Sequence, residues 1–360
     1  MRLLTAVGAR PQFIKAAPMS RALAAAGHEE ILVHSGQHHD QGMSDVFFRE
    51  MGLRKADLNL GITGGAPNAR TGAMLAGYEA AIEQYEPDIV LVYGDTDTTL
   101  AAALAAKEKG RLLAHVEAGL RSYNRSMPEE QNRVLTDHVA DILFCPTDTA
   151  LKNLHTEGLA NRAVLTGDVM YDAARYYAAA ASQRGYPETH GLESGMYFLA
   201  TLHRQYTVDD AGRLRAALDI LGALPLPVLL PVHPRTMKQL RAHELVLPPA
   251  VLPVAPLGYL DFMSALQSAR MVLTDSGGVQ KEAYFHGVPC ITLRTETEWI
   301  ETVDAGWNRV LDLDGQAVHT AATTRWWPET RPAVFGDGHA AERVVSVLES
   351  AREWGAGSGE

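Results

Sequence analysis

Cysteine is almost absent from this chain of 360 residues, which has only Cys145 and Cys290. Each lies in an apolar, strand-like run, so neither a disulfide framework nor a thiolate zinc site is expected. Positive charge is not in excess either: the formal net charge is -11, and a duplex backbone would repel such a surface. That excludes nonspecific nucleic-acid binding but not a small anion, because a local Arg/Lys cluster can dominate inside a cleft. No run approaches the roughly 18 apolar residues that a membrane span needs. The opening MRLLTAVGARPQF lacks the long apolar stretch and small-residue cleavage pattern of a signal peptide, so a soluble, cytoplasmic protein is expected. There is no G-x-G-x-x-G after the first strand, and a nicotinamide cofactor is not indicated. His38 and His39 are adjacent on an extended segment and face opposite ways, which argues against joint ligation. With no H-E-x-x-H or comparable spacing elsewhere, no metal is expected. Internal repeats and low-complexity segments are also missing.

What remains is the composition of a globular enzyme, 46% hydrophobic and 21% charged, at a length that suits a pair of domains. Short Val/Ile/Leu-rich runs alternate with longer helical patterns. Strands are predicted at RLLTAVG, EILVHSG, DIVLVYGD, RLLAHVEAG, DILFCPT and RAVLTGD. A second series follows at MYFLATLH, PVLLPVHP, VLPVAPL, RMVLTDSGG, PCITLR and NRVLDL. Ala-rich stretches such as TTLAAALAAKEKG carry apolar residues at helical spacing. Such alternation means parallel sheets with crossover helices, and ligands at the carboxyl edge of the strands. Residues 178–194, small, polar and interrupted by Gly and Pro, read as a boundary loop. The pattern after Gly338 reads as a last helix packing back on the body.

Candidate ligand groups fall at strand ends. After RMVLTD come Ser276, Gly277 and Gly278 and a helix predicted to begin near Val279. Glycines there let backbone N–H groups approach a phosphate at a helix N-terminus, and Glu282 one turn on could take paired ribose hydroxyls. The plainer alternative is an ordinary turn with a solvent-facing Glu. Arg10 and Lys15, beside a helix start marked by Pro11, would attract a diphosphate or carboxylate, or stand as a solvated pair. Asp95 and Glu117 end successive strands, and Glu130 opens a helix after Pro128. First-turn acids such as Glu129 and Glu130 are ordinary, yet acids converging on one sheet edge raise each other's pKa, as an acid/base set requires. Asp97 is expected to cap a helix. His203, with Arg204 after it, could give a proton to a leaving phosphate or serve as a loop residue, and His233 ends the next strand.

Taken in order, GARPQFIKAAPM, SGQHHDQGMSDVFF, VYGDTDTTLAAALAA, HVEAGLRS, MPEEQNRVLTDHVADILFCPT, LTGDVMYDA, TLHR, PVHPRT, TDSGGVQKEA and LRTETEWIETVDAGWN resemble the non-hydrolysing UDP-N-acetylglucosamine 2-epimerase family. The match runs nearly the full length. The resemblance implies a GT-B-like α/β fold with two Rossmann-like domains around a cleft, and a homodimer. The expected domains are 1–170, with the acid/base residues, and 171–337, which binds UDP; a helix at about 338–355 returns to the first. Asp95, Glu117, Glu130 and His203 match the catalytic positions. Arg10, Lys15, His233, Ser276, Gly277, Gly278, Glu282 and Arg294 match positions at the substrate or UDP, and Phe262 an aromatic near the uracil. No cofactor is implied. Gln205, Tyr206 and Thr207 depart from the acidic residue and Asn that often follow His-Arg, while TETEWIE is similar to relatives acting on diacetamido-glucuronic acid sugars. The sugar is therefore either UDP-GlcNAc or its 2,3-diacetamido uronic acid counterpart. A GT-B glycosyltransferase and a silent UDP-sugar-binding protein are the rival functions.

Overall fold

The computed structural model describes residues 1–37 and 48–356, and His38 and His39 lie outside them. The chain divides into two compact units, Met1–Arg175 with Ala333–Glu360, and Tyr176–Pro332. In the first unit, β1 (Arg2–Val7), β2 (Glu29–His34), β3 (Leu58–Asn59), β4 (Ile89–Tyr93), β5 (Leu112–Val116), β6 (Ile142–Cys145) and β7 (Ala163–Leu165) form one sheet. Their order is β3-β2-β1-β4-β5-β6-β7 and every pairing is parallel. Helices on its faces leave the strands buried, which is why Leu3, Leu4, Val90, Leu91, Leu113, Leu143 and Phe144 read as continuous apolar runs.

The second unit repeats the plan with β8 (Phe198–Thr201), β9 (Val228–Pro231), β10 (Val251–Val254), β11 (Met271–Thr274), β12 (Cys290–Thr292) and β13 (Asn308–Val310). Their order is β10-β9-β8-β11-β12-β13, again all parallel. Phe198, Leu230, Leu273, Ile291 and Leu293 meet Leu214, Leu218, Leu221 and Val318 of the covering helices in one core.

In each sheet the direction of strand succession reverses once, between β1 and β4 and between β8 and β11. The loops leaving the two strands diverge there and open a crevice at their carboxyl ends. Arg10 follows β1 and Asp95 follows β4, while His203 follows β8 and Ser276 follows β11. Strand order alone thus brings candidate residues of each unit to a ligand-binding edge.

Differences from the sequence-based expectations are local. The alanine run at 178–181 belongs to the helix Val169–Ser182, so the predicted boundary loop is shorter at its start; alanine's helix propensity outweighs the polar neighbours. The helix after β11 starts at Gly277, ahead of Val279. Asp97 does not cap its helix: Thr96 does, accepting from Thr99 N, and Asp97 is the first helical residue. Its carboxylate meets Arg70 at 2.7 Å and Asn132 Nδ2 at 3.2 Å.

Candidate active site

The turn after β1 is built by Gln12. Its Oε1 accepts from Gly8 N and Ala9 N at 2.8 and 3.0 Å, and its Nε2 donates to Tyr93 O and Thr99 Oγ1 at 3.2 and 3.1 Å. A Cβ on Gly8 would overlap Ser35 Oγ and Thr98 Oγ1, so only glycine lets these segments close. The helix Arg10–Ala25 then begins with Arg10 half-buried and turns Lys15 inward, 5% exposed. Lys15 Nζ stands 2.6 Å from Glu117 Oε1.

Register sets the acids side by side. Tyr93 pairs with Val116 across β4 and β5, which places Gly94 beside Glu117. A Cβ on Gly94 would come within 2.9 Å of Lys15 Nζ and 3.5 Å of Glu117 Oε1. Gly94 takes φ 63°, and Glu117 takes φ 71°, a left-handed conformation that a side chain rarely adopts. Strained backbone at the end of a sheet strand is where binding and catalytic residues collect.

Arg133 joins the other two carboxylates, pairing through Nη2 with Asp95 and through Nη1 with Glu130 at 2.8 Å. Glu130 also accepts from Ser122 N, Ser122 Oγ and Tyr123 N at 2.9, 3.0 and 2.9 Å. The first unit therefore gathers Lys15 with Glu117, and Asp95 with Glu130, around Gly94. Arg133 was missed in the sequence because a helical arginine is ordinarily solvated; its place three residues after Glu130 was the available signal.

In the second unit, Thr201 pairs with Thr274 across β8 and β11. Asp275, fully buried, accepts from His203 N at 2.9 Å and Arg204 N at 2.9 Å, and its Oδ1 lies 3.5 Å from His203 Nδ1. The His203 and His233 rings stand 5.4 Å apart at 34°. His233 also caps the helix Pro234–Ala242, its Nδ1 accepting from Arg235 N at 3.1 Å, which makes that nitrogen the unprotonated one. Asp275 was likewise unforeseen, although it directly precedes Ser276.

Ser276 is the N-cap of the helix Gly277–His286, but its side chain makes no capping hydrogen bond. Gly277 and Gly278 are glycine for different reasons. A Cβ on Gly277 would meet Glu298 and Trp299 Nε1, whereas one on Gly278 would meet open space. Packing explains the first, whereas no protein atom occupies the space beside the second. Glu282 is buried on the same helix, and its charge adds to burial in pushing the Tyr259 phenol well above its ordinary range. Arg294, after β12, binds Glu298 at 3.0 Å, and Phe262 is half-buried on the helix Tyr259–Gln267.

Two parallel Rossmann-like sheets, one edged with ion-paired carboxylates and the other with a glycine turn at an uncapped helix start, define a GT-B-type enzyme. The model of the UDP-N-acetylglucosamine 2-epimerase family matches residues 21–349, and the chain belongs to that family, one of isomerases. A UDP-2,3-diacetamido-2,3-dideoxy-D-glucuronate 2-epimerase of Pseudomonas aeruginosa is 44% identical over 357 residues, 97% of this chain and 99% of that protein. The UDP-N-acetylglucosamine 2-epimerase homolog of Methanococcus maripaludis is 41% identical over 97% of this chain and all of its own length, 100%. Among solved structures, the UDP-GlcNAc 2-epimerase of Methanocaldococcus jannaschii in complex with UDP-GlcNAc and UDP has TM-score 0.91 and 37% identity, covering 97% of this chain and 100% of that one.

Proposed function

We propose that this protein inverts carbon 2 of a UDP-linked N-acetylated sugar, the 2,3-diacetamido glucuronate, in the cytoplasm and as a homodimer. The observation that carries the reading is the gathering of Asp95 and Glu117, at neighbouring strand ends, with Glu130 of the helix Pro128–Val139 around Gly94. The chemistry explains why several acids are needed. Carbon 2 has no carbonyl beside it, so loss of its proton alone leaves no stabilised carbanion. Elimination avoids this: a carboxylate takes the C2 proton as the C1–O bond to UDP breaks, and a C1–C2 double bond forms. A second carboxylic acid then gives a proton to the opposite face of C2 while the UDP oxygen bonds to C1 again. Acid/base groups are thus required on both faces, and UDP must be retained between the steps.

The retention falls to the second unit. Its helix start at Gly277 and Gly278 offers backbone N–H groups to the diphosphate, Arg294 adds charge, and Glu282 suits the ribose hydroxyls. His203, held by Asp275, donates to or stabilises the departing phosphate. Arg10 and Lys15 add cations on the first unit. The particular sugar is taken from the Pseudomonas aeruginosa relative, and Gln205, Tyr206 and Thr207, in the short helix Gln205–Val208 that follows Arg204, support a sugar other than UDP-GlcNAc. That alternative is favoured by the archaeal structure holding UDP-GlcNAc.

Incubation of the purified protein with each UDP-sugar in D₂O decides the matter by NMR. Deuterium is expected at C2 of the diacetamido uronate, in both epimers. Transfer or binding without C2 exchange would instead indicate a glycosyltransferase or a silent binder. Exchange only with UDP-GlcNAc would reassign the sugar, and sedimentation equilibrium reads the dimer.

A further inference from the structure

Beneath the acids lies a polar bridge that the chemistry above does not use. His115, in β5, is fully buried. Its Nε2 lies 2.8 Å from the carbonyl oxygen of Gly94, and its Nδ1 lies 2.8 Å from Asp137 Oδ1. Asp137, also fully buried, accepts at Oδ2 from Gly119 N at 3.1 Å and Arg121 Nη1 at 2.7 Å. Burial opposes the charge on Asp137, but His115 and Arg121 outweigh it and hold the carboxyl below its usual range. Facing a carbonyl oxygen on one side and a carboxylate on the other, the imidazole donates from both ring nitrogens.

The bridge ends where the backbone is least able to hold itself. Gly94, Glu117 and Gly119 take φ of 63°, 71° and 83°. Gly94 directly precedes Asp95, and Glu117 stands between His115 and Gly119. Asp137 belongs to the helix Pro128–Val139, which also carries Glu130, Arg133 and Asn132, whose Nδ2 donates to Asp95 O at 3.1 Å. Three segments, each bearing one candidate acid, are fastened to a single His–Asp pair.

We propose that His115 and Asp137 are positioning residues of the epimerisation, fixing the spacing of Asp95, Glu117 and Glu130 without touching the sugar. This rests on those carboxylates being the acid/base set. A displacement of about 1 Å in a catalytic group costs on the order of 100-fold in rate, which sets the expected effect.

The test uses the full chain. His115→Asn keeps a donor for Asp137 and loses the bond to Gly94; His115→Gln does the converse. In each variant shown folded by near-ultraviolet circular dichroism, turnover and C2 deuterium uptake should fall about 100-fold, while KM and calorimetric UDP affinity stay within about threefold. A folded variant with turnover within threefold of the parent overturns the proposal. So does an equal loss of UDP affinity, which marks a general structural role. Should neither variant fold, ¹⁵N NMR of histidine-labelled parent protein reads the bridge directly. Protons on both His115 ring nitrogens are expected, and a bare one overturns the proposal. Glu117→Gln assayed alongside separates the failures: full exchange in that variant removes the acid/base reading, whereas its inactivity beside active His115 variants removes only the positioning role.

Discussion

Glu130 and Asp95 share the Arg133 guanidinium but differ in what else holds them. Glu130 is 3% exposed and takes backbone and hydroxyl donors from Ser122 and Tyr123 besides, whereas the Asp95 side chain is 25% exposed. Glu130→Gln turns an amide toward either Tyr123 N or the Ser122 N and Arg133 Nη1 pair, all of which only donate. It should cost about 1–3 kcal/mol in urea denaturation as well as turnover. Asp95→Asn should leave the urea midpoint nearly unchanged yet lower C2 deuterium uptake by roughly 10²–10⁴-fold. Equal stability losses in both would contradict the division. The places of Asp95 and Glu117 were legible in the sequence because strands that end in Asp or Glu announce a sheet edge, and that of Glu130 because Pro128 marks a helix start. Arg133, which pairs with two of them, and Asp137 and Asp275, which hold His115 and His203, were not, since the docking of each helix and loop decides which way such a side chain turns. Cys145, which the sequence places in an apolar strand-like run, is buried in β6, and burial, with the Asp137 charge, pushes its thiol up to about 12.

At the scale of elements, two helix starts carry glycines with opposite reasons for being there. Gly8→Ala must displace Ser35 or Thr98, and a cost of about 1–3 kcal/mol is expected from urea denaturation. Gly278→Ala meets nothing in the protein, so its melting temperature should hold while calorimetric UDP affinity falls tenfold or more. An unchanged UDP affinity there would remove Gly278 from the nucleotide site. Element type was readable throughout the long apolar runs, and each predicted strand has its counterpart in the sheets. The two-residue β3, Leu58–Asn59, escaped because two residues cannot display a period. The reversal of strand order was beyond the sequence pattern, since it depends on which strands pair.

For the whole molecule, the last helix is the piece that ties the ends of the chain into one unit. Asp172, at the start of the helix Val169–Ser182, accepts from Ala341 N at 2.7 Å through Oδ2, and its Oδ1 is buried without a partner. Burial, with the charges of Glu342 and Asp168, raises this carboxyl from 3.8 to about 6. An acid raised in this way binds its proton more tightly folded than unfolded. Its contribution is therefore most favourable below about pH 4, declines up to about pH 6, and stays low above that. Asp172→Asn keeps a carbonyl acceptor for Ala341 and abolishes the charge. It should raise the unfolding free energy at pH 7.5 by up to about 3 kcal/mol, a gain that shrinks toward zero by about pH 4. Urea titrations at both pH values check this, and a gain independent of pH would contradict it.

Val344, Val345 and Leu348 of that final helix are buried, and it lies against the helix Arg10–Ala25. The second unit, strung between Arg175 and Ala333, is continuous in sequence, whereas the first is closed by a segment that follows it. A chain cut short before Ala340 would keep the whole of the second unit yet bare an apolar strip on the helix Arg10–Ala25.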